Sequence, residues 1–343
     1  MPENHAPLPL AVSLGDPAGV GPELIAAAWA SRREAGLSPF FVVGGARVLH
    51  AAAASRGIDL PVAAISAPEE AADVFDRALP VLGAMDDAYH SGAPDADGAR
   101  LALASLTLAA DLAASGAAGG IVTGPIAKSH LAAVGFAHPG QTEFVAAACG
   151  IAPEDAVMML AGPQLRTVPI TVHVALSAVP GLLSATLIER RSAITAAALT
   201  RDFGIDAPRL AITALNPHAG ENGRMGHEDD AIIAPAIVAL RAAGIDATGP
   251  HPADALFAPR GRAGFDVAIC MYHDQALIPL KALDFDNGVN VTLGLPTIRT
   301  SPDHGTAFAI AGKGLADAGA TIAAIRMAGQ CAARRAAAAV PAA

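Results

Sequence analysis

Three histidines stand directly after short apolar runs. His173 closes Thr-Val-Pro-Ile-Thr-Val-His, His218 sits in Thr-Ala-Leu-Asn-Pro-His-Ala-Gly, and His273 in Ala-Ile-Cys-Met-Tyr-His-Asp-Gln. Neutral imidazoles that converge and leave one coordination position open make a catalytic site for a divalent transition ion, most naturally Zn²⁺. Taken singly, each reads as an ordinary loop histidine. Their repeated placement at the ends of strand-like runs is what separates them from the other histidines of the chain.

Other segments pair a strand-like run with a glycine-proline turn and a helix start. Ser13-Leu-Gly-Asp-Pro-Ala-Gly-Val-Gly-Pro-Glu23 is one, and Ile121-Val-Thr-Gly-Pro-Ile-Ala-Lys128 repeats the plan. Proline suits a first helical turn, and glycines let backbone approach a ligand closely. A bland turn accounts for the first equally well, and spacing alone makes Lys128 a surface residue. Pro139-Gly-Gln-Thr-Glu-Phe144 places Gln141 and Thr142 at a helix N-terminus, where an anion is welcome, although Thr142 could equally cap its own helix. Lys281, Asn290 and Arg299 follow later in the chain; cations near a metal suit a phosphorylated or carboxylated substrate. Neither the G-x-G-x-x-G fingerprint nor a P-loop occurs.

These residues need a scaffold, and the pattern supplies one. Strands are expected over 10–14, 40–43, 120–123, 156–160, 167–172, 209–214, 267–271 and 288–293. Helices are expected over 22–35, 99–114, 126–133, 142–149, 179–203, 232–243, 276–283, 306–311 and from 321 onward. Alternation at this spacing implies α/β architecture with a mostly parallel sheet and helices on both faces. Ligands of such sheets gather outside the carboxyl ends of the strands, where the histidines fall.

Composition narrows the function further. The 343 residues suit about two domains, and 53% hydrophobic against 16% charged excludes a disordered chain. A net charge of −10 without a basic cluster speaks against nucleic acid as a partner. Mean hydropathy is +0.43, yet no apolar run of the ~20 residues needed to span a bilayer goes unbroken. The start Met-Pro-Glu-Asn-His lacks the basic region of a secretory signal, and three cysteines share no metal-type spacing. A cytoplasmic protein with no membrane partner is the expectation.

Together the segments resemble the 4-hydroxythreonine-4-phosphate dehydrogenase family. The matching stretches are Gly-Asp-Pro-Ala-Gly-Val-Gly-Pro-Glu, Val-Thr-Gly-Pro-Ile-Ala-Lys, Pro-Gly-Gln-Thr-Glu-Phe, Leu-Asn-Pro-His-Ala-Gly-Glu, Met-Tyr-His-Asp-Gln, and Gly-Val-Asn-Val-Thr-Leu-Gly-Leu-Pro through Arg-Thr-Ser-Pro-Asp-His-Gly-Thr. They span nearly the whole chain, from about residue 10 to residue 328.

The resemblance implies two α/β/α domains with a cleft between them, like those of isocitrate and isopropylmalate dehydrogenases. The expected division is 1–135 with 300–343, and 136–299 carrying the metal ligands. It also implies a homodimer with the active site at the dimer interface. Metal ligands would be His173, His218 and His273; substrate contacts would be Gln141, Thr142, Lys281, Asn290 and Arg299. Gln141 departs from the histidine common in the family, keeping an amide but losing the capacity for charge. Ala127 replaces a common asparagine.

The activity implied is metal-dependent oxidation of 4-phosphohydroxy-L-threonine by NAD or NADP, with Zn, Mg or Co as the ion. The product, 2-amino-3-oxo-4-(phosphonooxy)butanoate, decarboxylates to 3-amino-2-oxopropyl phosphate in pyridoxine 5'-phosphate biosynthesis. Asp274 and Asp254 are the candidate proton acceptors, each equally able to orient a ligand. No motif assigns the nicotinamide site. Rival readings are a dehydrogenase of threonate or erythronate 4-phosphate or of an aromatic cis-dihydrodiol, a phosphotransacetylase, and a metal-binding protein without catalysis.

Overall fold

A computed structural model describes residues 7–339 of the chain, in two compact units. The first unit comprises residues up to Pro153 together with those from Leu295 onward, and the second runs from Glu154 to Gly294.

The chain begins the first unit with β1 (Leu10–Ser13), α1 (Gly21–Ala30), β2 (Phe40–Val43), α2 (Ala46–Ser55), β3 (Val62–Ile65), α3 (Ala71–Val74) and β4 (Leu79–Leu82). It continues through α4 (Ala96–Ala114), β5 (Ile121–Thr123), α5 (Lys128–Ala133) and α6 (Gln141–Ala148). The second unit holds β6 (Val157–Ala161), β7 (Arg166–Pro169), α7 (Val179–Leu182), α8 (Ala185–Phe203), β8 (Leu210–Thr213), α9 (Ala234–Ala242) and β9 (Ala247–His251). It ends with α10 (Ala253–Leu256), α11 (Pro259–Arg262), β10 (Val267–Cys270), α12 (His273–Asp284) and β11 (Val289–Leu293). The chain then returns to the first unit for β12 (Arg299–Pro302) and α13 (Gly319–Ala339).

In the first unit the strand order is β3-β4-β2-β1-β5-β12, all parallel. Every residue of β1, β2, β4 and β5 is buried. Side chains alternate between faces along a strand, so continuous burial means that both faces are covered. The chain builds leftward from β1 and then crosses to β5 on its other side, which makes β1/β5 the point where the direction of winding reverses. Gly15 follows β1 with φ +74, and a Cβ there would lie 2.7 Å from the Pro125 carbonyl oxygen. Only glycine permits the two turns to meet so closely.

In the second unit the order is β11-β6-β7-β10-β8-β9. β6 is antiparallel to both β11 and β7, while β7, β10, β8 and β9 run parallel. Mostly parallel pairing thus holds. The Ser184 hydroxyl caps α8 by accepting from the Leu187 amide, and Gly204 closes that helix in the left-handed region.

Several expected boundaries shift. The run over 179–203 splits into α7 and α8, because Leu183 and Ser184 are extended. Residues 306–311 form only a short 3-10 turn at Phe308–Ile310. The units divide at 153/154 and 294/295, not at 135/136 and 299/300. Segment 136–153 joins the first unit because the Gln141 side-chain amide donates to the Gly124 carbonyl at 2.9 Å and α6 packs on α4. Arg299 joins it as the first residue of β12, paired with β5.

Candidate functional site

Two sites assemble, one at a strand edge of each unit. In the second unit, β7, β10 and β8 are adjacent and parallel, so His173, His218 and His273 all follow the same edge. That edge is knitted by polar contacts. The Ile170 and Thr171 amides donate to the carbonyls of Cys270 and Met271, and the Thr171 hydroxyl donates to the Met271 carbonyl at 2.8 Å. These bonds hold the ends of β7 and β10 together. His173 and His273 consequently face one another, with ring centroids 5.6 Å apart and planes at 44°.

His273 is the first residue of α12. Its Nδ1 lies 2.7 Å from Asp274 Oδ1. An ionised carboxylate only accepts, so Nδ1 carries the hydrogen and Nε2 is the nitrogen left to bind. His173 and His273, with Thr171, Val174, Tyr272 and Asp274 among their neighbours, line a cavity of about 320 Å³. The two imidazoles fit two positions of a divalent ion. His218 does not complete a set of three: among the described residues, no group of three or more His, Cys, Asp or Glu side chains is arranged to hold a metal. His218 lies in the turn Pro217–Glu221 with a left-handed backbone at φ 53.

Residues that sequence reasoning passed over position this edge. The Gln275 Oε1 accepts from the Met271 amide and from the Thr213 hydroxyl, each at 2.7 Å, and Nε2 donates to the Ala214 carbonyl at 2.7 Å. One buried amide therefore joins the ends of β8 and β10. Asp229, fully buried, accepts from the Leu215 and Asn216 amides and from Asn216 Nδ2, shaping the segment that leads into His218. The signal for Gln275 was its place directly after His-Asp, inside the first turn of a helix. Asp229 was hidden in an acidic run that reads as solvated. Asp254 lies exposed on α10 and does not line the cavity around His173 and His273; Asp274 does. Lys281 on α12 and Asn290 on β11 also belong to this unit.

The second site lies at the β1/β5 reversal of the first unit, with β12 beside β5. Arg299 is 3% exposed. Its guanidinium donates to the Thr123 hydroxyl at 2.8 Å and to the Thr142 hydroxyl at 3.3 Å. Burial pushes its pKa down to about 10, against the pull of Glu143. Thr142 stands in the first turn of α6, next to Gln141. Sequence-selected Gln141, Thr142 and Arg299 are thus brought together here, a buried planar fork beside a helix N-terminus, which suits an oxyanion. Nearby Asp16 is buried, with Oδ1 accepting from the Ala18 amide and Oδ2 3.7 Å from His130 Nδ1. Burial raises its carboxyl above the ordinary range.

The family model described as "Pyridoxal phosphate biosynthetic protein PdxA" matches residues 37–328. The chain is 64% identical to a 4-hydroxythreonine-4-phosphate dehydrogenase of Erythrobacter litoralis, over 96% of this chain and 98% of that protein. A crystal structure of a 4-hydroxythreonine-4-phosphate dehydrogenase from Klebsiella pneumoniae superposes with a TM-score of 0.84 at 36% identity, covering 96% of this chain and 99% of that one. A terephthalate 1,2-cis-dihydrodiol dehydrogenase from Burkholderia xenovorans is more distant, with a TM-score of 0.64 at 28% identity, covering 94% and 98%.

Proposed function

Because the chain belongs to the pyridoxal phosphate biosynthetic protein PdxA family, we propose that it oxidises 4-phosphohydroxy-L-threonine with NAD⁺ or NADP⁺. The product is 2-amino-3-oxo-4-(phosphonooxy)butanoate, which loses CO₂ to give 3-amino-2-oxopropyl phosphate. The observation that carries the reading is the likeness at 64% identity along nearly the full length of both chains. The buried Arg299 fork supports it independently, since a phosphorylated substrate needs such a partner.

Within the reading, the substrate contacts are Gln141, Thr142, Lys281, Asn290 and Arg299. Gln141 donates one N–H of its side-chain amide to the Gly124 carbonyl, which holds the α6 N-terminus against the β5 turn and leaves its second N–H and its carbonyl oxygen for substrate. His173 and His273, which already face one another, would hold a divalent cation, Zn, Mg or Co, with His218 as the third ligand once its turn Pro217–Glu221 draws it to them. When bound, the cation supplies an electrophile for the hydroxyl oxygen, and the dinucleotide supplies the hydride acceptor. Asp274 holds His273 in one tautomer through Oδ1. It is also the carboxylate that lines the cavity, so its second oxygen takes the hydroxyl proton.

A second copy of the chain is the partner in this reading. Val174 and Leu176 line the same cavity, yet are 42% and 66% exposed, an apolar surface that a subunit contact covers. The reaction belongs to the cytoplasm, and among the described residues no helix is long and apolar enough to cross a membrane. The test is turnover on three compounds: 4-phosphohydroxy-L-threonine, erythronate 4-phosphate and terephthalate cis-dihydrodiol. Reduction of NAD(P)⁺ with the first at a kcat/KM at least about tenfold above the others supports the proposal; preference for either of the others overturns it.

A further inference from the structure

Resting on the reading of His218 as third ligand, we infer that Asp229 is a positioning residue for that histidine, clamping the strained left-handed turn that carries it. The backbone of this turn is unusual. His218, Ala219, Gly220, Glu221 and Asn222 follow one another at φ 53, 52, 76, 43 and 59. In that region the Cβ of an L-residue crowds the next carbonyl oxygen, so single residues visit it and runs need outside support. Gly220 is at home there, and His218 and Asn222 belong to types that tolerate it. Ala219 and Glu221 do not.

The support comes from outside the turn. Asp229 accepts from the Leu215 amide at 2.8 Å, from the Asn216 amide at 3.2 Å and from Asn216 Nδ2 at 2.9 Å. Asn216 Nδ2 also donates to Glu228 Oε2 at 2.8 Å. That side-chain amide stands between the entry of the turn and its exit. A Cβ on Gly226 would lie 2.6 Å from both Asn216 Nδ2 and Glu228 Oε2. The middle of the turn rests on the same carboxylate, since a Cβ on Gly220 would lie 3.4 Å from Asp229 Oδ2. The Met225 amide ties the exit back to the Gly220 carbonyl at 3.0 Å. Asp229 itself opens a π-helical turn, Asp229–Ile233, ahead of α9, a local widening that recurs at functional sites. Entry, middle and exit therefore meet at one buried carboxylate, and the turn moves as one piece with His218 on it. Its conformation comes from the clamp and not from its own preference. Without Asp229 the segment relaxes toward ordinary backbone and carries His218 away from His173 and His273.

Asp229→Asn sets an amide against the two Asn216 donors, but it also removes a negative charge, and the test separates the two effects. Zn²⁺ binding to the full-length protein is measured by calorimetry for wild type, His218→Ala, Asp229→Asn, Ala219→Val and the double variant Asp229→Asn/Ala219→Gly. The visible absorption of bound Co²⁺ reports the ligand set of each, and circular dichroism confirms folding. The expected result is Zn²⁺ binding weakened about tenfold or more in Asp229→Asn, the usual size of an effect transmitted through a ligand's support. Ala219→Val, which changes no charge, should weaken it as well, because a β-branched residue is disfavoured at positive φ. The double variant should regain about fivefold, the preference of glycine over alanine in the left-handed region, without regaining the charge. The Co²⁺ spectrum of Asp229→Asn should match that of His218→Ala, and the double variant should return toward wild type. Wild-type affinity in Ala219→Val alongside loss in His218→Ala overturns the inference and leaves His218 a ligand. A loss in Asp229→Asn that glycine does not recover also overturns it, as a charge effect. If Asp229→Asn does not fold, Ala219→Val decides alone. Wild-type affinity in His218→Ala removes the third-ligand reading itself.

Discussion

Gln275 and Thr213 meet at 2.7 Å, a buried amide oxygen accepting from a buried hydroxyl across the ends of two strands. Through this contact and its bonds to Met271 and Ala214, Gln275 fixes the edge from which His218 and His273 emerge. Gln275→Leu keeps the volume but strands the Met271 amide and the Ala214 carbonyl, while the Thr213 hydroxyl keeps the Ile269 carbonyl as acceptor. Each unsatisfied buried group costs about 1–3 kcal/mol, so urea unfolding should show a loss of about 2 kcal/mol or more. A loss below about 1 kcal/mol would mean that the amide is not the tie described.

Arg299→Ala should raise KM for the phosphorylated substrate roughly 100-fold, the size of two charge-assisted hydrogen bonds, with little change for the dinucleotide. An equal effect on both would remove Arg299 from the substrate site. The guanidinium is protonated below its lowered pKa of about 10, so the anion is held there and released as pH rises through that value. The logarithm of kcat/KM should therefore bend downward near pH 10, since that ratio reports the free protein.

Metal content after dialysis, measured by elemental analysis, tests the histidines separately. His173→Ala and His273→Ala should each lose the ion. His218→Ala should lose it as well, because two imidazoles bind far more weakly than three. Full retention in His218→Ala would leave the facing pair as the whole protein-derived ligand set.

Asp16 gives a signed pH effect on stability. Burial raises its carboxyl above the ordinary value, so the folded protein prefers the protonated form. That contribution is complete below the unfolded pKa and disappears as pH climbs through the raised folded value. Asp16→Asn keeps the oxygen that accepts from Ala18 and removes the ionisation. Its melting temperature should exceed that of wild type at pH 7, with the difference shrinking toward pH 4. A difference that grows on acidification would reverse the assignment.

Much of this was legible in the sequence. Buried parallel strands such as Phe40–Val43 announce themselves as continuous apolar runs, and the three histidines were placed on one edge because their strands are parallel neighbours. Strands with a proline inside, such as Leu79–Leu82 and Ala247–His251, or only four residues opening on an arginine, as Arg299–Pro302, carry no such signal. Long-range polar ties are invisible for another reason. Gln275 touches Thr213 across 62 positions, and Arg299 touches Thr123 across 176, separations over which no local pattern reports. Lys128 reads as a surface residue by spacing, and only the fold brings it to Gly140.

The central claim is an oxidation at the hydroxyl-bearing carbon next to the carboxylated one, and stoichiometry tests it most directly. With 4-phosphohydroxy-L-threonine and NAD⁺ or NADP⁺, reduced dinucleotide and CO₂ should appear in equal amounts, with 3-amino-2-oxopropyl phosphate as the phosphorylated product. Reduced dinucleotide without CO₂, or no reduction of either dinucleotide in the presence of Zn, Mg or Co, would contradict the account.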